Sequence, residues 1–310
     1  MEYRVKGIHH VTAIAGNAKR NLDFYTQVLG LRLVKKTVNF DDPGTYHFYF
    51  GNEEGAPGTI LTFFPWEGVV TGKRGAGQVT ETAFSVPSGA LDFWVRRFQK
   101  HNVTYNNPAK RLNEEYLTFI DPDGLKMELV ASDKDPRKPY AEGGIDEQYA
   151  IRGLYNVTLT VSGFEKTARV LTDIFGYSSS GSEVNRYRFS SGSNEEAGIV
   201  DIVDLPPGQT GQIAGGSVHH VAFRAENNEE QLYFRNKIAE AGFSPTPPID
   251  RDYFMAVYFR EPNGILFEIA TNPPGFTRDE KLAQLGKSLK LPSQYESRRQ
   301  ELEQILPGLD

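Results

Sequence analysis

The chain has 310 residues, a formal net charge of −6 and a pI near 5.6. Because it also has no block of Lys or Arg, a nucleic-acid partner is not expected. Cysteine is absent, which excludes disulfides and thiolate metal sites. The length allows two domains or one large one, with ample material for a buried core.

The first residues predict where the protein is found. Residues 1–6 lead directly into a predicted strand, without the charged and then apolar leader of a secreted protein. No apolar run approaches the roughly 18 residues that a membrane-spanning helix needs. We therefore expect a cytoplasmic protein that has no membrane partner.

The chain is organised as four copies of one unit, each with a strand, a helix and two or three further strands. In the first unit a strand is predicted at residues 8–15, and apolar residues recur at helical spacing over residues 18–29 until Gly30 ends the helix. Further strands of this unit are predicted at residues 31–40, 45–50 and 59–64. The second, third and fourth units cover residues 80–130, 154–203 and 218–270. Units of this size must pair to bury their apolar faces.

The second and fourth units end in matching segments, residues 121–128 and residues 261–268. Pro-Asp-Gly in the first segment and Pro-Asn-Gly in the second are signals for tight turns between strands. A segment rich in Pro and Gly, residues 135–144, separates the second unit from the third. We therefore predict two domains, residues 1–135 and 150–272, each built from two units.

The pattern changes after Asn272. Residues 278–289 and 292–306 are charged and helix-prone, with a Pro in the first turn of the second stretch. We expect this tail, residues 273–310, to form surface helices that pack on the body of the protein.

Two pairs of histidines carry the strongest functional signal. His9-His10 opens the first unit and His219-His220 opens the fourth, so four of the six histidines lie in these pairs. Glu268 ends the last strand of the fourth unit. Two histidines and one carboxylate on rigid strands form the ligand set of a non-haem iron(II) oxygenase. The histidines outside the pairs are interpreted as structural or surface residues: His47 and His101.

Strand alternation predicts which histidine of each pair points at the metal, because neighbouring residues face opposite sides of a sheet. Val11 is on the same side as His9, and a small apolar side is typical of the surface beneath a helix. His10 shares its side with Thr12, which is more polar. The same pattern recurs around the second pair, so His9 and His219 are predicted to face helices. The predicted metal ligands are His10, His220 and Glu268.

The second and third units lack this ligand set. Glu81 and Asn156 stand where His10 stands in the first unit, and Glu128 stands where Glu268 does in the fourth. One metal requires strands from units that share a cup. We therefore predict that the first unit packs against the fourth and the second against the third. The inner pair is not expected to bind a metal.

These strands resemble the vicinal oxygen chelate superfamily, whose βαβββ modules form cup-shaped sheets around a divalent metal. The His-His strands in the first and fourth units and the tail at residues 291–299 are similar to ring-cleaving dioxygenases that attack hydroquinones and catechols. Asn156 stands where better-known extradiol dioxygenases carry their first metal histidine. The resemblance implies an α+β fold of four βαβββ modules in two cup-shaped mixed sheets, with C-terminal helices.

The resemblance also implies a reaction and a set of residues. It implies ring cleavage of the extradiol type with iron(II), with manganese(II) as the alternative metal, and a small aromatic substrate and O2 as partners. A homo-oligomer is compatible with the sequence, which does not specify the oligomeric state. Around metal and substrate the resemblance places His9, Thr12, His219, Arg251 and Tyr258. It implies proton transfer by the two histidines and hydrogen bonds from Arg251 and Tyr258 to a substrate oxygen.

Two other functions share this architecture. A glyoxalase-type, metal-dependent lyase or isomerase uses two glutamates, the second from the end of the first module, but residues 58–64 contain no carboxylate. A ligand-sequestering protein of the bleomycin-resistance kind is built from the same modules without metal, and the intact ligand triad argues against it. Metal analysis of the purified protein separates this last alternative from an enzyme.

Overall fold

Four repeated modules make up most of the described chain, residues 3–192 and 197–309 of a computed structural model. The first module consists of β1 (Ile8–Ala15), α1 (Ala18–Asp23), β2 (Arg32–Val38), β3 (Tyr46–Gly51) and β4 (Ile60–Pro65). The second consists of β5 (Gln78–Val86), α2 (Leu91–Lys100), β6 (Thr104–Tyr105), β7 (Ala109–Arg111), β8 (Glu114–Ile120) and β9 (Lys126–Ala131).

The other two modules repeat this plan. The third consists of β10 (Gly153–Val161), α3 (Phe164–Arg169), β11 (Ser178–Glu183), β12 (Arg186–Ser190) and β13 (Ile199–Asp204). The fourth consists of β14 (Val218–Ala225), α4 (Asn228–Glu240), β15 (Ile249–Asp250), β16 (Phe254–Arg260) and β17 (Leu266–Pro274).

The helix predicted over residues 18–29 begins as expected but changes type. The side chain of Asn17 caps the N-terminus of α1 by accepting a backbone hydrogen bond. The helix then passes into a π-helical turn, Phe24–Val28, where the N–H of Leu29 donates to the carbonyl five residues earlier. The third module has the same turn at Val170–Ile174. Among the described residues, no helix is both long enough and apolar enough to cross a membrane.

The strands form two mixed sheets. The eight-stranded sheet has the order β15-β16-β17-β14-β1-β4-β3-β2, and the nine-stranded sheet has the order β11-β12-β13-β10-β5-β9-β8-β6, with β7 beside β8. The modules join through antiparallel β1–β14 and β5–β10 pairs. This confirms the α+β fold and the pairing of the first module with the fourth and the second with the third. Each sheet draws one module from each half of the chain, and the division into residues 1–135 and 150–272 stays a prediction.

Two matching turns join the sheets to each other. Asp121, in the turn between β8 and β9, accepts a hydrogen bond of 3.0 Å from the hydroxyl of Tyr25 in the first module. Glu261, in the turn between β16 and β17, accepts one from the hydroxyl of Thr167 in α3. Each turn contains a glycine with positive φ, a conformation that glycine adopts without strain. The turns predicted in both segments are confirmed, and each one reaches the helix of a module in the other sheet.

The segment between the halves is fixed rather than free. Arg137 donates to the carboxylate of Asp135 at 2.6 Å and to the carbonyls of Gly58 at 2.6 Å and Leu154 at 2.7 Å. Gly58 precedes β4 in the first sheet, whereas Leu154 lies in β10 of the second. One arginine therefore connects both sheets at the place where the chain crosses from the first half to the second.

The first part of the tail differs from the prediction. Instead of a continuous helix, residues 276–289 contain short 3-10 turns at Phe276–Arg278 and Leu282–Gln284, and Leu289 pairs with Lys36 of β2. The second part is helical. It consists of a 3-10 segment, Ser293–Arg298, and α5 (Arg299–Ile305).

A buried lysine explains why the first part of the tail lies along β2. The side chain of Lys35 is fully buried, and its ammonium group donates to Asp279 at 2.6 Å, to Glu280 and to the carbonyl of Phe276 at 3.2 Å. A buried ammonium group is tolerated only when carboxylates and carbonyls surround it. These partners hold residues 276–280 against the sheet, which prevents the continuous helix that the charge pattern predicts.

Candidate metal centre

The two His-His pairs meet because β1 and β14 lie side by side. The register between these strands is irregular at both pairs. From Ile8 to His10 the partner strand advances by one residue only, so His9 is an extra residue in β1. His219 is the extra residue in β14 for the same reason. Such β-bulges change the direction of the side chains that follow them.

Because of these bulges, His9 and His219 do not face the helices, contrary to the sequence prediction. The predicted orientation of both residues is therefore wrong. Ile8 and Val11 flank the first pair, and both lie in the main apolar core. The extra residue therefore turns His9 and His10 to the same concave side of the sheet. Their Nδ1 atoms lie 2.9 Å apart, and the Nδ1 atoms of His219 and His220 lie 2.8 Å apart. The prediction was wrong because strict alternation fails at a bulge.

The three predicted metal ligands come together at the centre of this sheet. Nε2 of His10 lies 3.3 Å from Nε2 of His220 and 3.5 Å from Oε2 of Glu268, and Nε2 of His220 lies 2.9 Å from the same oxygen. All three side chains are buried. Within the part of the chain that the structure describes, this is the one group of three such side chains with ligand atoms within 4.8 Å of one another.

The state of Glu268 fits a cation at this point. Its side chain is fully buried, and apart from the nearby nitrogens of His10 and His220 neither carboxylate oxygen has a hydrogen-bond partner among the described residues. Burial by itself raises the pKa of this carboxyl, but His10 and His220 lower it by more, so Glu268 stays ionised. An ionised carboxylate is costly to bury without a partner. Bonds of about 2.1 Å at right angles put ligand atoms about 3.0 Å apart, close to the observed spacing.

The neighbouring histidines orient the two ligand rings. Burial lowers the pKa of His9 well below its usual range and lowers the pKa of His219 to about 3. Both rings are therefore neutral at pH 7, and a neutral ring can accept a hydrogen bond at Nδ1. His10 and His220 can then donate from Nδ1 and present the lone pair of Nε2 to a metal. Metal-binding histidines commonly use their second nitrogen in this way.

Tyr258 and Arg251 border the same site. Tyr258 in β16 faces Glu268 in β17, and burial together with the charge of Glu268 raises the pKa of Tyr258 far above its usual range. The phenol is therefore a hydrogen-bond donor at neutral pH. The guanidinium of Arg251 lies 5.5 Å from the centre of the Tyr258 ring and 5.9 Å from that of Phe40, and it donates to Asp41 at 3.2 Å.

A cavity of about 410 Å³ opens beside the ligand histidines His10 and His220. His10, His219 and His220 lie at its base, and Arg251 and Asp41 lie on its wall. Most of the remaining wall is aromatic. It contains Phe40, Tyr49, Phe64, Trp66, Phe254 and Tyr258. This size and lining suit one planar aromatic ring.

The sequence interpretation missed one residue of this cavity. His47, interpreted as structural or surface, is buried in the cavity wall beside Tyr49. A signal was available, because alternation along β3 puts these two residues on the same concave face. Thr12 is also buried, and its hydroxyl accepts a hydrogen bond of 2.8 Å from Thr62. His101 is exposed at the end of α2, as interpreted.

Ion pairs occupy the corresponding positions of the second sheet. Glu128 forms two hydrogen bonds with Arg111. Glu81 pairs with Lys126 and Arg186, and Asn156 donates to Asp201 at 2.9 Å. The carboxylates at these positions are thus neutralised by side chains of the protein itself.

Sequence comparisons identify relatives that match the full length of the chain. It is 47% identical over 308 residues to the putative ring-cleaving dioxygenase MhqO of Bacillus subtilis (strain 168), covering 99% of this chain and 98% of that protein. It is 34% identical over 307 residues to a chlorohydroquinone/hydroquinone 1,2-dioxygenase of Sphingobium indicum, covering 96% of this chain and 95% of that protein.

Solved structures and a family model give the same placement. A crystal structure of a putative dioxygenase from Bacillus subtilis has a TM-score of 0.96 at 46% identity, over 100% of this chain and 99% of that one. Glyoxalase I from Zea mays shares the fold, with a TM-score of 0.65 at 14% identity over 86% of this chain and 92% of that one. The model of the Glyoxalase/Bleomycin resistance protein/Dioxygenase superfamily matches residues 7–129 and 153–269. The chain therefore belongs to this superfamily.

Proposed function

We propose that the protein is a metal-dependent dioxygenase that cleaves a hydroquinone- or catechol-type ring with O2. The observation that carries the proposal is the buried ligand set of His10, His220 and Glu268 at the base of an aromatic cavity. The names of the relatives that match the whole chain support the same reaction. We propose iron(II) as the metal, with manganese(II) as the alternative.

The metal and the protein contribute different parts of the chemistry. His10, His220 and Glu268 would hold iron(II), which would supply a site for substrate and O2 together with redox chemistry. Tyr258 donates a hydrogen bond to a substrate oxygen, and the positive charge of Arg251 lies beside it. Both stabilise negative charge that develops on that oxygen during the reaction.

His9 and His219 act on the ligands in this proposal. With a pKa of about 3, His219 is a weak base at neutral pH, and burial lowers the pKa of His9 as well. Their neutral rings orient His10 and His220. The proton transfer implied by the family resemblance stays a prediction for this pair.

The bond that is broken follows from the chemistry of the substrate. In a hydroquinone, where the hydroxyls are para, the bond named in the Sphingobium indicum relative joins a hydroxyl-bearing carbon to its unsubstituted neighbour. Extradiol cleavage of a catechol breaks the same kind of bond. We therefore propose cleavage next to one hydroxyl-bearing carbon, with the ring opened at that position.

Substrate tests separate this function from that of a glyoxalase. Iron-loaded protein should consume O2 with hydroquinones or catechols and should not isomerise a hemithioacetal. The structure favours this outcome because Thr62, and no second glutamate, stands on the last strand of the first module, where it pairs with Thr12. Hemithioacetal isomerisation without any O2 uptake would replace the proposal by the glyoxalase function.

A further inference from the structure

The symmetry between the first and fourth modules relates Thr62 to a metal ligand. In the fourth module Glu268 faces the residue two positions after His220. In the first module Thr62 faces the residue two positions after His10. Thr62 is therefore the counterpart of Glu268, with a hydroxyl in place of the carboxylate.

The same symmetry shows that His47 has no counterpart of its kind. Tyr49 faces Thr62 as Tyr258 faces Glu268. Two residues before these tyrosines lie His47 in β3 and Ala256 in β16. At this position only the first module carries an imidazole, and the metal site described above does not use it.

His47 is held in one orientation. Its Nε2 lies 2.9 Å from Oγ1 of Thr62, which itself donates to Oγ1 of Thr12 at 2.8 Å. Because the Thr62 hydroxyl already donates to Thr12, it accepts from His47, and Nε2 carries the hydrogen. The ring packs between Tyr49 and Phe64, with ring centres 4.0 Å and 4.4 Å away. Burial lowers the pKa of His47 well below its usual range, which keeps the ring neutral.

The second nitrogen of this ring is an acceptor without a protein donor. A neutral imidazole that donates from Nε2 has a lone pair on Nδ1. Among the described residues, none donates to Nδ1 of His47. Protein atoms do not fully enclose this nitrogen, and His47 lines the cavity beside the metal ligands. The acceptor is therefore available to a molecule in the cavity.

We propose that His47 recognises the substrate by accepting a hydrogen bond at Nδ1 from the ring hydroxyl that does not bind the metal. The inference rests on the proposed function, and it narrows the substrate to rings whose second hydroxyl group lies away from the metal, as in a hydroquinone. Thr62 and Thr12 position the ring of His47, and Tyr49 and Phe64 fix its plane. In this arrangement His47 of the first module binds the hydroxyl far from the metal. Tyr258 of the fourth module donates to the substrate oxygen next to the metal.

Anaerobic calorimetric titration of the iron-loaded protein tests this role without turnover. The ligands are hydroquinone and para-cresol, which lacks the second hydroxyl. His47→Phe keeps the packed ring and removes the acceptor, so it should weaken hydroquinone binding about tenfold and change para-cresol binding less than about twofold. The exposed His101→Phe is the matched control and should change neither affinity.

Two further variants separate the two ring nitrogens. The amide of His47→Asn reaches the position of Nδ1 and should retain most of the preference for hydroquinone. The amide of His47→Gln reaches the position of Nε2, so it should behave like His47→Phe. Equal losses for hydroquinone and para-cresol in His47→Phe would overturn the proposal by showing a packing role alone. Unchanged hydroquinone affinity in His47→Phe and His47→Gln would overturn it too.

The proposed function fails in a different way. If the wild-type protein binds hydroquinone with this dependence on His47 but consumes no O2, the recognition role stands and the dioxygenase function does not. If the protein consumes O2 with hydroquinone while its preference over para-cresol is the same in every variant, the recognition role alone is overturned.

Discussion

The neutral state of His9 and His219 determines how the metal ligands are presented. Each of these histidines lies next to a ligand histidine, with Nδ1 atoms 2.9 Å apart in the first pair and 2.8 Å apart in the second. An imidazolium at either position could not accept a hydrogen bond and would repel a cation. The low pKa values that burial causes therefore support metal binding.

Tyr258 should affect turnover and leave metal binding intact. Its phenol is protonated and faces Glu268, so it can donate to a substrate oxygen that gains negative charge. We expect Tyr258→Phe to lower kcat by roughly 10²–10³-fold, because a well-placed donor of this kind acts mainly in the transition state. The measurement is kcat with hydroquinone together with iron per chain.

The control for this variant lies in the other sheet. Tyr187 packs against Phe164 and lies in β12 of the nine-stranded sheet, whereas the metal ligands lie in the eight-stranded sheet. Tyr187→Phe should therefore preserve both kcat and iron content. A wild-type rate in Tyr258→Phe would remove this phenol from the mechanism. Loss of iron in the same variant would assign it to the metal site.

At the scale of elements, the sequence predicted what depends on local pattern. Strand alternation placed His10 on the concave side, and the turn signals located the segments that carry Asp121 and Glu268. Local pattern could not predict the side-chain direction of His9 or His219, because a bulge depends on the register between two strands that are far apart in the chain. Local pattern also could not predict the path of the tail, since Lys35 in β2 holds residues that lie more than 200 positions later.

Lys35 should be a main anchor of the tail. Removal of its ammonium leaves the buried carboxylate of Glu280 without this partner, which typically costs about 3 kcal/mol or more. We expect Lys35→Met to lower the free energy of unfolding by about that amount in urea titration. Lys19→Met breaks a half-exposed pair with Asp23 and should cost less than about 1 kcal/mol. Equally small losses in both variants would contradict an anchoring role.

At the scale of the whole molecule, two equivalent cups have different contents. The first sheet brings together the uncompensated group of His10, His220 and Glu268. In the second sheet, Arg111 pairs with Glu128 and Arg186 pairs with Glu81, which neutralises these carboxylates. Repeats in the sequence predicted the pairing of modules, but the ion pairs depend on side chains from separate strands, so they became visible only in the structure.

The contact between the sheets should make stability depend on pH. Burial raises the pKa of Asp121 to about 7, compared with about 3.9 in an unfolded chain. Between these values the folded state binds more protons than the unfolded state, so the free energy of unfolding falls as pH rises. We expect the stability of wild type relative to Asp121→Asn to fall by up to about 1.4 kcal/mol per pH unit from about pH 5 to pH 7.

Urea titrations at several pH values provide this measurement. The exposed Asp92→Asn, in the first turn of α2, is the control and should keep the pH dependence of wild type. A relative stability of wild type that rises with pH, or stays constant over this range, would show that Asp121 is ionised throughout in the folded protein.

The most direct test of the account is the amount of O2 consumed per ring opened by iron-loaded protein. Wild type should bind one iron per chain and consume one O2 for each hydroquinone or catechol ring opened. Glu268→Ala should lose both iron and activity, because two histidines alone hold iron(II) weakly, whereas Glu128→Gln, altered in the other sheet, should keep both. Stoichiometric iron and full O2 uptake in Glu268→Ala would contradict the proposed centre, as would ring opening by wild type without O2 consumption.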